Sequence, residues 1–433
     1  MQLGDSKSIR NAVAAITAAL LGTAGGVAAE SARLESSLLI YSETDRITVG
    51  EGVLGLNKEL KGGRTLNLRL TLDALSGASP NGATPAQSVQ TFTRPSGNGS
   101  YQIAPNTMPL DDTFQDQRYA ADVGLTQPWG RLTSLSFGGH ISGEHDYSSF
   151  GANFGITHDL NRRNTTIGIS GAYSHDFVSP VGGAPQAFTA LSTTTGGGGE
   201  HEGGDDEGGE GGRSESKDVL DLIVGLNQVI DRQTMLRLNY SLNHSSGYLN
   251  DPYKFISVVQ AANGENPGAP VDYLYESRPA SRTKHAVYAE LRRHISGTTA
   301  DLSYRYFWDD WGITANTVEA FYRFGVGGGH ALQPHVRWYH QTAADFHRYY
   351  LVSGQQFPEH ASADSRLAQF DGLTLGLKYI LPLDERTDLN LAAEYYSQSG
   401  VRGPPDPVGI LSQYDLFPKL DALMLRIGFT RDF

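Results

Sequence analysis

After the glycine pair Gly62-Gly63 the chain alternates strictly. Leu66, Leu68, Leu70 and Leu72 interleave with Asn67, Arg69, Thr71 and Asp73. Side chains two apart in a strand share a face, so this segment predicts a strand with one apolar and one polar side. The register returns in Leu236/Leu238/Tyr240/Leu242 against Arg237/Asn239/Ser241/Asn243, and in Ala300/Leu302/Tyr304/Tyr306 against Asp301/Ser303/Arg305. It returns again in Leu373/Leu375/Leu377/Tyr379 against Thr374/Gly376/Lys378, in Leu389/Leu391/Ala393/Tyr395 against Asp388/Asn390/Glu394, and in 423–433, which stops on Phe433. A large secreted sandwich alternates in the same way, so alternation alone leaves sandwich and barrel open.

The connections separate the two. Candidate strands fall near 33–43, 46–60, 65–75, 117–128, 131–145, 149–159, 165–177, 217–229, 233–246, 282–295, 298–309, 313–325, 331–343, 367–380, 387–398 and 421–433. On one side the joins are tight and rich in turn residues, as in Lys61-Gly62-Gly63-Arg64, Pro128-Trp129-Gly130, Ser296-Gly297 and Gly327-Gly328-Gly329. On the other, long segments of mixed composition span 76–116, 178–216, 247–281, 344–366 and 399–420. Short joins alternating with long ones are the parity of an outer-membrane barrel, with short periplasmic turns and long extracellular loops. The expectation is an all-β, transmembrane, antiparallel up-and-down β-barrel of about 16 strands; fourteen or eighteen satisfy the same parity. An even count leaves both termini in the periplasm, where a final strand ending on Phe433 resembles the one that barrels present to their assembly machinery.

Composition fits that picture. Hydrophobic residues are 39% of the chain and the mean hydropathy is negative, as suits strands that are apolar on one side only. Past residue 30 no apolar run is long enough for a transmembrane helix. The 21 Tyr, 17 Phe and 4 Trp can supply aromatic girdles at both interfaces. The absence of cysteine excludes disulfides, thiolate metal sites and covalent haem attachment. At the N-terminus Lys7 and Arg10 precede the apolar stretch Ala12–Leu21, and Val27-Ala28-Ala29 offers small residues for cleavage before Glu30. Residues 1–29 are therefore expected to be a cleaved signal peptide and 30–433 the barrel, in the outer membrane of a Gram-negative bacterium.

The formal net charge is −13. Part of it is local: residues 196–212 hold ten glycines with Glu200, Glu202, Asp205, Asp206, Glu207, Glu210 and His201. Such a segment buries too little surface to order itself, so a disordered extracellular loop is expected at about 190–216. A weak cation site there would first have to order a glycine chain.

The leucine register assigns Arg69, Arg237, Arg292, Arg305, Arg323, Arg337, Lys378 and Arg426 to the lumen, with Asp73, Asp221, Glu290, Asp301, Glu319, Asp388 and Glu394. Both signs on one wall predict lateral pairs, Glu290 with Arg292, Asp301 with Arg305 and Glu319 with Arg323, around a hydrated lumen. At the extracellular mouth the candidate ligand-binding residues are Asp112, Asp116, Arg118, Glu144, His145, Asp146, Arg278, Arg282, Asp309 and Asp310. Carboxylates and a histidine at loop roots suit a metal site or an acid/base pair, or a set of salt bridges bracing the loops. No Gly-x-Ser-x-Gly elbow and no His-Glu-x-x-His helix is present, no catalytic residue is assigned, and no cofactor is expected.

Five phrases carry a resemblance. They are SGASPNG (76–82), Pro109-Leu110-Asp111-Asp112-Thr113-Phe114-Gln115-Asp116-Gln117-Arg118, EHDY (144–147), YLYESRPASRTKHAVYAEL (273–291) and DDWGI (309–313). Together they resemble those of the bacterial family called domain of unknown function 3570. Its members are predicted outer-membrane barrels. The resemblance implies a setting beside exported flavin-transferase and thioredoxin-like proteins, and hence a role near extracytosolic electron transfer. Two classes of function compete. One is a channel, or a scaffold housing a partner; the other is a barrel-embedded surface enzyme or metal-binding protein using the mouth residues. The expected partners are outer-membrane lipid, the barrel-assembly machinery and a periplasmic or lipoprotein partner; no nucleic acid is among them.

Overall fold

The computed structural model describes residues 31–93, 99–191 and 214–433. The leader expected at 1–29 and most of the Gly/Glu-rich loop lie outside the described residues. In chain order the strands are β1 (Ala32–Glu43), β2 (Thr48–Leu60), β3 (Arg64–Pro80), β4 (Gln90–Thr93), β5 (Ser100–Ile103), β6 (Leu110–Trp129) and β7 (Thr133–Gly143). There follow β8 (Tyr147–Leu160), β9 (Thr165–Val178), β10 (Glu215–Val229), β11 (Thr234–Gly247), β12 (Phe255–Val259), β13 (Pro270–Tyr275) and β14 (Ser281–Ile295). The last are β15 (Thr298–Asp309), β16 (Thr314–Gly327), β17 (His330–Gln341), β18 (Leu351–Val352), β19 (Phe370–Asp384), β20 (Thr387–Gly400) and β21 (Leu420–Asp432). All but β4, β5, β12, β13 and β18 close into one antiparallel barrel of sixteen strands, in which β1 pairs with β21.

Closure answers a backbone problem: in hydrocarbon every N–H and C=O needs a partner, and only a sheet without edges supplies them all. The side chains answer the solvent problem. Leu70, Leu302 and Leu377 stand 53%, 55% and 49% exposed on the outside, as expected of groups that meet lipid. Their polar neighbours point to the lumen. The tight joins lie on one rim, and Ser296 and Gly297, the two-residue turn between β14 and β15, take φ values of 46° and 86°. Positive φ at both positions matches the twist of the flanking strands.

The opposite rim differs from the sequence expectation. The β3/β6 pair reaches Pro80 and Leu110, well beyond the segments that alternation marks. The long connections also contain strands of their own. In them β12 lies between β13, antiparallel, and β18, parallel, while β4 and β5 form a separate hairpin.

These connections fold against one another. Phe92 of β4 packs on Tyr101, Phe255 and Tyr273 at ring-centroid distances of 5.5, 5.8 and 5.0 Å. The Phe255 amide donates to the Asn81 carbonyl at 2.8 Å, and the Tyr414 hydroxyl donates to Asn106 Oδ1 at 2.5 Å. Residues 81–109 leave the ring at β3/β6 and residues 248–280 at β11/β14, with β7 to β10 between them. Contacts between segments so placed have to cross the mouth. The loops therefore form a cap, and its interior holds Ile256, Val259 and Leu411, exposed 0%, 0% and 1%. Where residues 267–268 and 408–410 cross, Gly409 takes φ 53° and a Cβ there would stand 2.0 Å from the Pro267 carbonyl oxygen. Only glycine fits that crossing.

Candidate functional site

The site has three parts: the lumen wall, a knot of charge in the cap, and the rim between them. On the wall, strand register puts the predicted lumen residues on one face. The pairing differs from the expected ladder. Arg292 bonds Asp301 and lies 3.6 Å from Glu290, which also takes Arg237 at 3.2 Å. Glu319 binds His335 Nε2 at 2.9 Å, and Glu394 binds the other ring nitrogen at 3.0 Å. Phe321 stacks on the same imidazole at 4.2 Å. Asp301 is thus taken by Arg292 rather than Arg305, and Glu319 by His335 rather than Arg323. Asp301 meets Arg292 directly across the β14/β15 pair, whereas Arg305 lies four residues along its own strand, and His335 stands between Glu319 on the adjacent strand and Glu394 two strands away and bonds both. Asp221 accepts from Asn243 at 2.8 Å. Among the described residues Arg69, Arg305, Arg323, Arg337, Lys378 and Arg426 form no ion pair.

In the cap, Arg278 donates to Asp364 at 2.8 Å and to Glu276 at 3.0 Å. Arg366 brackets the same Asp364 with Nε at 3.0 and 2.7 Å from its two oxygens and also reaches Asp251. The Asp251 amide donates to Glu276 at 2.6 Å, and the Ser362 hydroxyl completes that carboxylate's shell. Glu276 and Asp364 are 1% and 3% exposed. Burial pushes the Glu276 carboxyl up to about 7 against the pull of Arg278. Burial also acts on Asp364, but Arg366 and Arg278 override it and hold the group well below the usual carboxylate range. His347, buried beside the knot, is pushed down to about 4 by burial. Burial of so much charge is sustained only by this mutual bonding. The knot joins residues 251, 276–278 and 362–366, and so clamps the connection after β11 to the connection after β17.

At the rim, Asp116, Glu144 and Asp146 each offer an oxygen within 4.8 Å of the others. Three convergent carboxylates are the donor set of a hard divalent cation. Burial, then Asp116 and Asp146, push Glu144 up to about 7, so a proton also relieves the crowding. The Tyr253 hydroxyl, from the cap, donates to Asp146.

The ten predicted mouth residues are thus distributed over distinct places. Asp116, Glu144 and Asp146 converge. Arg118 leaves them for Asp73 at 2.6 Å. Arg278 belongs to the cap knot. Arg282 holds Asp309 at 2.8 Å through Nε and lies 4.3 Å from the Trp311 ring centre. Asp309 also accepts the Ile313 amide at 2.8 Å, and Asp310 accepts the Thr283 amide at 2.9 Å. These last bonds tie the DDWGI turn to the wall. Asp112 and His145 are exposed, and His145 makes no hydrogen bond or ion pair among the described residues. Sequence reasoning passed over Glu276, Asp364, Arg366 and Asp251. The one signal available was Glu276 beside Arg278 within the phrase at 273–291.

Fold and site together define a transmembrane β-barrel with a capped mouth. The chain belongs to the family described as Protein of unknown function (DUF3570), whose model matches residues 10–431. No curated protein matches it. Among solved structures it is similar to a mutant of the ferric enterobactin receptor PfeA of Pseudomonas aeruginosa, at 12% identity and TM-score 0.42 over 87% of this chain and 54% of that one. It is also similar to OccK5 (OpdH) of Pseudomonas aeruginosa, at 9% identity and TM-score 0.41 over 95% and 100% of the two chains. A third is the siderophore receptor PirA of Acinetobacter baumannii, at 9% and 0.40 over 87% and 54%. The chain spans about half the length of the two receptors. Likeness of this order reaches the barrel architecture and no further.

Proposed function

We propose that this barrel is a solute channel of the bacterial outer membrane whose extracellular mouth is closed by the loop cap. The observation that carries the reading is the contrast within one axis. Below lies a lumen whose wall keeps several cations without ion-pair partners, which only water or a solute can satisfy. Above lies a cap with its own buried core, built from loops that meet across the opening. Sixteen strands leave room for an aqueous channel. In this setting residues 1–29 serve as a cleaved leader. Nothing among the described residues favours a scaffold for a redox partner over a channel. The enzyme reading draws on the rim carboxylates with His145, which is exposed and makes no hydrogen bond or ion pair with them among the described residues.

Conductance in planar bilayers tests the channel. Wild-type protein is expected to conduct in small or infrequent steps, and a variant lacking residues 247–281 in larger and longer ones. A variant that conducts no more than wild type would overturn the cap as gate. Silence from both would overturn the channel.

A further inference from the structure

On the short-turn side the lumen holds a cavity of about 650 Å³. Its wall includes Arg69, Lys378 and Arg426, and two carboxylates, Glu35 and Asp122. Both carboxylates are already engaged. Arg33 Nε donates to Glu35 at 2.8 Å, and His140 Nδ1 lies 2.7 Å from Asp122. The three cations form no ion pair among the described residues. Glu394, within electrostatic range of Arg426, is held by His335. Glu51 is within electrostatic range of Arg69, without an ion pair.

Strand register explains why the cations stay together. Lys378 is opposite Ala392, and Ala392 is opposite Arg426. A methyl group is therefore all that the intervening strand places between an ammonium and a guanidinium. Arg323 is also within electrostatic range of Lys378. Asn57, Asn67 and Asn390 line the same cavity, and their side chains make no hydrogen bond among the described residues. The cavity thus presents unmatched cations and unmatched amides to its own interior.

We infer that this cavity is a binding site for small oxyanions, carboxylates or phosphates, held chiefly by Lys378 and Arg426. The inference rests on the channel reading for its role and names the solute class. An oxyanion accepts from ammonium, guanidinium and amide donors at once, and it removes the repulsion between the two cations. A cation does neither, and a neutral sugar, although its hydroxyls accept hydrogen bonds, leaves the repulsion in place. Release stays easy because a hydrated lumen screens the attraction.

Calorimetry on the detergent-solubilised full chain tests the site apart from conduction. Phosphate and succinate are titrated separately, and K378Q/R426Q is the comparison. Saturable heat for at least one of them is expected, weakened about tenfold or more in the double variant, which corresponds to about 1.4 kcal/mol. Which anion binds distinguishes a phosphate site from a carboxylate site. Absence of heat for both anions overturns the inference, as does equal binding by a double variant that retains the heat-modifiable migration of a folded barrel. In bilayers, the same anion should block chloride current through wild type more strongly than through K378Q/R426Q. Binding in the calorimeter without conductance would sink the channel and leave the site standing.

Discussion

The wall and the cap use the same apolar residue types in opposite ways. Leu70 and Leu302, on the wall, are 53% and 55% exposed, whereas Ile256 and Val259, in the cap, are 0% exposed. The difference lies in the solvent. Around the wall it is lipid, so apolar side chains face out and charge gathers in the lumen. Around the cap it is water, so apolar groups turn in, each worth about 1.5–3 kcal/mol on full burial. The wall is held by a closed ladder in which every strand has two neighbours. The cap depends on a small core and on one charge knot, whose parts come from separate connections. It can therefore loosen while the ladder stays intact, which is what a gate above a stable pore requires.

The sharpest way to break that comparison is to remove one member of the knot. Arg278→Ala leaves Glu276 and Asp364 buried with reduced compensation, and loss of one partner of a buried pair costs about 3–5 kcal/mol. The cost should fall on the cap alone. Hydrogen exchange at Ile256 and Val258 should rise steeply while amides of β19 and β20 remain protected. Equal acceleration in both regions would mean that cap and wall unfold as one unit.

The converse change belongs to the wall. Leu375→Arg places a guanidinium on the lipid face, at a cost of about 2–4 kcal/mol near the bilayer midplane. Folding yield into lipid vesicles should drop. In the fraction that does fold, the protease sensitivity of 248–280 should match wild type. A cap made labile by this substitution would show that the two regions share their stability.

The same contrast decides what was legible in the sequence. Lipid imposes one rule on every strand that crosses it, so period two repeats around the ring and the sixteen strands can be read from it. The rule lapses where strands leave the membrane, which is why the extension of β3 to Pro80 and of β6 to Leu110 carried no signal. In the cap, Phe255–Val259 is apolar but for Ser257 and is buried on both faces throughout, and such a segment does not alternate. Its partner β18 pairs with it in parallel from about 90 positions further along the chain. Charges pose the same difficulty. Arg278 and Arg282 are four residues apart, yet one enters the cap knot and the other grips Asp309 on the wall. Sequence proximity marked both as mouth residues; only the fold separates them.

The smallest expected effect is that of pH on the cap, where two neighbouring groups act in opposite directions. Glu276 is raised to about 7 from 4.5. Its contribution to cap stability is fully present below the unfolded value and is lost as pH rises through about 7. His347 is lowered to about 4 from 6.5. Its contribution is present above the unfolded value and is lost as pH falls towards about 4. Asp364, held far down by Arg366 and Arg278, keeps its charge throughout this window. Between pH 7 and 5 the two slopes oppose, so wild type should show little net change in cap exchange after correction for intrinsic rates. The variants separate them. Glu276→Gln keeps only the histidine slope, and its cap should loosen on acidification. His347→Gln keeps only the carboxyl slope, and its cap should tighten. Slopes of the same sign in the two variants would show that these groups do not set the pH response of the cap.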